Sequence, residues 1–120
     1  MTLQECYAAL GGNYEEVRGR LPSDKFIQKF VLKFLDDKSY ALLLDSLAAG
    51  DYEEAFRASH TIKGMCQNLG FTVLQESSSS LTEALRGGPS PEAGPLAEQV
   101  KKDYERTVAA IRSFQEGLST

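Results

Sequence analysis

The sequence predicts an all-α chain, an antiparallel four-helix bundle with additional short N-terminal helices. Three observations carry this. Apolar residues recur at helical spacing through most of the 120 residues. Ser, Thr, Asn or Asp heads most of these runs as a cap, and Gly or Pro closes them. No segment alternates polar and apolar residues in the manner of a strand. Amphipathic helices joined by short loops can bury their apolar stripes only against one another, which makes a bundle.

Thr2 and Glu5 form a T-x-x-E capping box ahead of Leu3, Cys6, Tyr7 and Leu10, a short helix broken at Gly11-Gly12. Asn13 caps one further turn through Tyr14 and Val17, which Gly19 interrupts and Pro22 ends. Ser23 heads a run of Phe26, Ile27, Phe30, Val31, Phe34 and Leu35, whose spacing predicts a core helix with its aromatic rings packed inward. Ser39 opens a helix carrying Ala41, Leu42, Leu44, Leu47 and Ala48, closed by Gly50. Asp51 with Glu54 then caps the longest uninterrupted run so far, through Ala55, Ala58, Ile62, Met65, Cys66 and Leu69 to Gly70. Thr72 with Gln75 repeats the capping box before Val73, Leu74, Leu81 and Leu85, and the serine run 77–80 between them reads as a solvated face. Residues 87–95 hold three of the four prolines and read as a loop. Leu96, Val100, Tyr104, Val108, Ile111 and Phe114 predict a final helix, with residues 117–120 fraying.

A length of 120 residues fits one domain, residues 1–120, large enough to bury about two thirds of its unfolded surface without disulfides or metals. A net charge of −4 and no local Lys/Arg cluster remove the electrostatic drive toward nucleic acid. Cys6 and Cys66, sixty positions apart and outside any C-x-x-C, read as reduced packing thiols of a cytoplasmic protein. The first residues carry no basic segment followed by an apolar one, and no run reaches the length of a spanning helix, so no membrane association is expected.

His60 is the only histidine. At about 100° per residue, Lys63, Gly64 and Gln67 fall within roughly 60° of it on the helix, as do Glu53, Phe56 and Arg57. Ala55, Ala58, Ile62, Met65, Cys66 and Leu69 fall on the opposite half. His60 is therefore predicted to face outward. A single histidine on a helix surface is most often simply solvated, but Gly64 costs about 1 kcal/mol in a helix interior and no packing role asks for it on an exposed face. Close approach of another molecule does. An accessible imidazole with a cation one turn on is a nucleophile suited to a phosphoryl group, since neutral imidazole offers its lone pair without a general base.

The run from His60 through Lys63-Gly64 to Gly70 resembles the H-x-x-K-G signature, with a second glycine six positions later, of the histidine-containing phosphotransfer (HPt) domains. The resemblance extends over most of the chain, from Ala41–Ala49 through Asp51–Ala55 to the helix after Gly70. It implies that His60 accepts a phosphoryl group from a receiver-domain aspartate and passes it to another. It further implies that Lys63 neutralises phosphoryl oxygens, that Gly64 leaves room for the receiver, and that Gln67 donates to the same oxygens. One departure is Thr82, which stands where many members carry a glutamine.

The partners implied are response-regulator receiver domains and hybrid histidine kinases, docked around Phe56 and Arg57 beside His60. No cofactor of its own is expected, and Mg²⁺ comes from the receiver. A phosphocarrier of this kind needs no ATP-dependent kinase activity, and the sequence holds no G-x-x-x-x-G-K-[ST] loop. The E-x-x-H spacing of a carboxylate metal centre is missing as well. The alternative reading is a non-catalytic helical adaptor that docks a receiver or another protein without being phosphorylated. A third, the phosphotransfer segment of a chemotaxis-type kinase, requires the chain to be a fragment.

Overall fold

The computed structural model describes residues 1–118, and all of its regular structure is helical. In chain order these are α1 (Leu3–Leu10), α2 (Tyr14–Arg18), α3 (Asp24–Lys33), a 3-10 turn (Phe34–Asp36), α4 (Ser39–Ala49), α5 (Tyr52–Leu69), α6 (Thr72–Leu85) and α7 (Ala93–Leu118). Helices α4 to α7 form the bundle: α4 packs on α5, α5 on α6 and α6 on α7. Tyr40 of α4 stacks on Tyr104 of α7 at 3.9 Å and closes the ring. The short N-terminal helices lie outside this four-helix frame, α1 along α7 and α3 against both α5 and α7.

Side-chain caps start four of these helices as the sequence predicts. Thr2 and Glu5 make the reciprocal capping box, and Asn13, Ser23 and Asp51 each accept from the backbone N–H three residues on. Helix α6 departs from expectation. Phe71, fully buried, is its N-cap and makes no side-chain cap bond, while Thr72 is already helical, so the Thr72–Gln75 box does not form. The early N–H of Val73 is satisfied instead by the carbonyl of Gly11, a tertiary partner invisible in local sequence.

Helix α7 also begins earlier than predicted. Ala93, Gly94 and Pro95 are helical, because a proline in the first turn removes only an N–H that has no intrahelical partner anyway. At the other end Gly117 and Leu118 stay helical, and Ser119 and Thr120 of the predicted fraying segment lie outside the described residues.

Two predicted stripes rotate. On α3 the buried residues are Ile27 and Val31, followed by Phe34 in the 3-10 turn, whereas Phe26 and Phe30 are 47% and 38% exposed. An i, i+4 aromatic pair next to an i, i+4 aliphatic pair defines two adjoining faces, and α3 has neighbours for only one. On α4 the buried positions are Leu43 and Ser46, with Leu42 and Leu44 exposed. The serine run is likewise not a solvated face throughout: Ser77 and Ser78 are buried, and their hydroxyls donate to the Leu74 carbonyl one turn back.

The buried apolar side chains form one cluster, in which Phe71 meets Tyr7 at 5.7 Å and Phe34 at 5.3 Å between ring centroids. Cys6 and Cys66 are free and belong to it. Burial pushes the Cys6 thiol up to about 11 and raises that of Cys66 as well.

The N-terminal segment completes the end of α5. Four carbonyls in and just after its last turn need donors from outside the helix. Arg20 Nη2 donates to Gln67 and Asn68, each at 2.9 Å. The Tyr7 hydroxyl donates to Leu69 at 2.7 Å, and the Asn13 N–H donates to Gly70 at 2.7 Å. Gly70 makes the contact possible. Its φ is +69°, and a Cβ there would fall 2.4 Å from Val17 Cγ2 and 2.8 Å from the Asn13 carbonyl oxygen.

Candidate functional site

Eighteen residues of α5 turn one stripe to the core and the opposite one to water. Ala55, Ala58, Ile62 and Cys66 are buried, while His60, Gly64 and Gln67 are exposed and Lys63 and Phe56 are half-buried. The outward direction of His60 therefore matches the helical arithmetic. A Cβ added at Gly64 would meet nothing within 4 Å, so no contact inside the molecule demands a glycine there. The exposed face is clear of side-chain bulk one turn beyond the imidazole and carries the Lys63 ammonium beside that gap.

Phe56, one turn before His60, lays its ring nearly parallel to the imidazole, 13° between planes and 6.0 Å between centroids. Arg57 pairs with Glu53 at 2.7 Å and more loosely with Glu54 at 3.7 Å, all on the surface of the same helix. Directly behind the site, Ser59 is fully buried. Its hydroxyl lies 2.8 Å from Thr82 Oγ1 and 3.1 Å from the Ser78 carbonyl, to which Thr82 also donates at 2.6 Å. This polar knot joins α5 to α6 immediately beneath His60, and small hydroxyl side chains let the two helices meet closely there.

Thr82, the position at which the resemblance leads one to look for a glutamine, is thus wholly buried and faces inward. The surface of α6 that borders the site belongs to Glu83 and Arg86. Their side chains form a two-point ion pair, Arg86 Nη2 to Glu83 Oε1 at 2.9 Å and Nε to Oε2 at 3.1 Å. The Arg86 guanidinium lies 5.2 Å from the centroid of the Phe56 ring. Hydrogen bonding from Arg86, and then its charge, hold the Glu83 carboxyl below the usual range, with smaller contributions from Lys63 and His60.

The structure thus gathers Phe56, His60, Lys63, Gly64 and Gln67 on one face, with Arg57 on its margin engaged to Glu53. Glu83 and Arg86 border the site without any signal in the local sequence. They are more than twenty residues from His60 in the chain, and only the antiparallel register of α5 and α6, in which Phe56 meets Arg86 and Ser59 meets Thr82, brings them to it. Among the described residues no group of three or more His, Cys, Asp and Glu side chains is placed to hold a metal ion, and no helix is long and apolar enough to cross a membrane.

Chemically, the face can present one nucleophilic nitrogen to water, neutralise an anion beside it, and admit a second molecule across Gly64. A family model described as Hpt domain matches residues 35–110, from the 3-10 turn into α7 and across the whole of this face. Comparison with curated proteins found no match, and comparison with solved structures found none.

Proposed function

The chain belongs to the Hpt domain family, and from that membership we propose that it relays a phosphoryl group between His60 and the aspartates of receiver domains. Histidine phosphotransfer in phosphorelays is the general business of the family, whose members interact with receiver domains and kinases. The reading for this chain rests on one observation: its single histidine stands exposed on α5 with Lys63 one turn on and open space over Gly64.

In the proposed step the lone pair of neutral imidazole attacks the phosphorus of an aspartyl phosphate. The N–P bond forms as the P–O bond to the aspartate breaks, the carboxylate leaves with the electron pair, and the other ring nitrogen sheds its proton to water. Such transfer depends on alignment and charge neutralisation more than on protein covalent machinery. Lys63 takes the neutralising role, Gly64 gives clearance and Gln67 donates to phosphoryl oxygens, while the receiver supplies its acidic pocket and Mg²⁺. Phe56 and Arg57 form the near edge of the docking surface. The partners proposed are the receivers of a response regulator and of a hybrid histidine kinase, in the cytoplasm. The working unit proposed is the whole chain as one domain, since the N-terminal helices outside the family match cap the end of α5.

Incubation with a phosphorylated receiver tests this. Wild type is expected to gain acid-labile phosphate and His60→Gln none; equal labelling of the two refutes it, and docking without labelling of either selects the adaptor. Lys63→Ala is expected to slow transfer with the helix content unchanged.

A further inference from the structure

We propose that the Glu83–Arg86 pair is a latch that phosphorylation of His60 opens, Arg86 leaving the Glu83 carboxylate for the phosphoryl oxygens and prolonging the life of the phosphohistidine. This rests on the reading of His60 as the phosphorylated residue. The geometry supplies a cation parked at the edge of the site. The Arg86 guanidinium covers the Phe56 ring, and that ring stacks on His60. Its Nε and Nη2 are committed to Glu83, which leaves the two Nη1 donors and one on Nη2 unused among five.

Arg86 is held only by contacts at the surface. It is the C-cap of α6, followed by Gly87 and Gly88, and both partners of the ion pair are more than half exposed, where such pairs are weak. Glu83 lies within electrostatic reach of both His60 and Lys63. A phosphoryl group on His60 brings nearly two negative charges to that spot. It repels the Glu83 carboxylate and attracts the guanidinium more strongly than a singly charged carboxylate can, so the fork of Arg86 is transferred to it.

The consequence is a slower loss of phosphate. In hydrolysis a water oxygen bonds to phosphorus as the N–P bond breaks and its electron pair returns to the ring nitrogen; one water proton stays on the phosphate and the other passes to the ring or to solvent, and the departure is eased when the ring already carries a proton. A guanidinium close to the ring disfavours that proton. Glu83 works in the opposite direction, by holding Arg86 back.

The test loads the 120-residue chain with phosphoramidate, from which the imidazole nitrogen displaces ammonia, and follows decay of the phosphohistidine by phosphorus NMR. Arg86→Ala is expected to decay about fivefold faster than wild type, Arg86→Lys to recover part of the difference, and Glu83→Gln to decay more slowly. Decay of Arg86→Ala at the wild-type rate, or faster decay of Glu83→Gln, overturns the latch and leaves the relay untouched. A wild type that loads from phosphoramidate but exchanges with no phosphorylated receiver sinks the relay and leaves the latch standing. Melting temperatures measured alongside separate a folding defect, which a lysine at this exposed position would not selectively repair.

Discussion

Phe56 lies parallel to the imidazole of His60, one helical turn before it on the exposed face of α5, and carries the Arg86 guanidinium as well. One half-buried ring thus lies against the imidazole and also seats the guanidinium that caps α6. Phe56→Ala removes both supports. Phosphoryl transfer is expected to fall about tenfold, because a loosely held imidazole spends less time in line. Stability should drop by about 1–2 kcal/mol, less than for a fully buried ring. Phe56→Leu restores most of the stability but not the transfer rate. Initial rates and urea denaturation of the two variants check this, and recovery of transfer in Phe56→Leu would reduce the ring to mere bulk.

The outward placement of His60 is legible because α5 has a single apolar stripe and one angle per residue fixes the rest. Helix α4 offers no such guide. Leu42, Leu43, Leu44 and Leu47 surround it on several sides, and packing chiefly against α5 selects Leu43 for the interior. Composition misleads in the serine run, where Ser77 and Ser78 are buried because their hydroxyls bond to the carbonyl of Leu74. Glu83 and Arg86 were beyond sequence reasoning for a different reason: the pairing of α5 with α6 is a tertiary fact with no local signature.

Thr82 offers a direct test of that pairing. Its hydroxyl is buried between the Ser59 hydroxyl and the Ser78 carbonyl. Thr82→Val keeps the shape and is expected to cost about 1 kcal/mol for the lost hydrogen bond. Thr82→Gln, which introduces the side chain common in the family, overpacks the α5–α6 seam and is expected to cost about 2 kcal/mol or more. It should slow transfer by moving His60. Denaturation midpoints report the order, and a Thr82→Gln variant as stable as wild type with faster transfer would show that this position can face the phosphoryl group.

The end of α5 should loosen when its outside donors are removed. Tyr7→Phe leaves the half-buried Leu69 carbonyl without the hydroxyl that meets it at 2.7 Å, at an expected cost of about 1 kcal/mol. Arg20→Ala deletes two charge-assisted bonds that are exposed to solvent and favoured by the helix dipole, and about 0.5–1 kcal/mol is expected. Amide hydrogen exchange distinguishes a local effect from a global one. The N–H groups in the last turn of α5 should lose protection in Arg20→Ala before those of α7 do, and a uniform loss would contradict the capping role.

Stability is expected to fall on the alkaline side through the buried thiols. Burial raises Cys6 from 9.0 to about 11 and moves Cys66 in the same direction, because a thiolate in the core is deprived of water. Above pH 9 the unfolded chain has released protons that the folded chain still holds, so rising pH favours unfolding. The stabilisation is complete below about pH 9 and declines from there toward and beyond pH 11, with a limiting slope of about 1.4 kcal/mol per pH unit for each thiol. Tyr7, also raised mainly by burial, steepens the decline further up the scale. Urea denaturation at pH 7.5, 9 and 10 measures the slope. Cys6→Ala with Cys66→Ala should start less stable, having lost packing, yet flatten between pH 9 and 10. An equal slope in that double variant would place the alkaline loss elsewhere and show that both thiols ionise as readily in the fold as outside it.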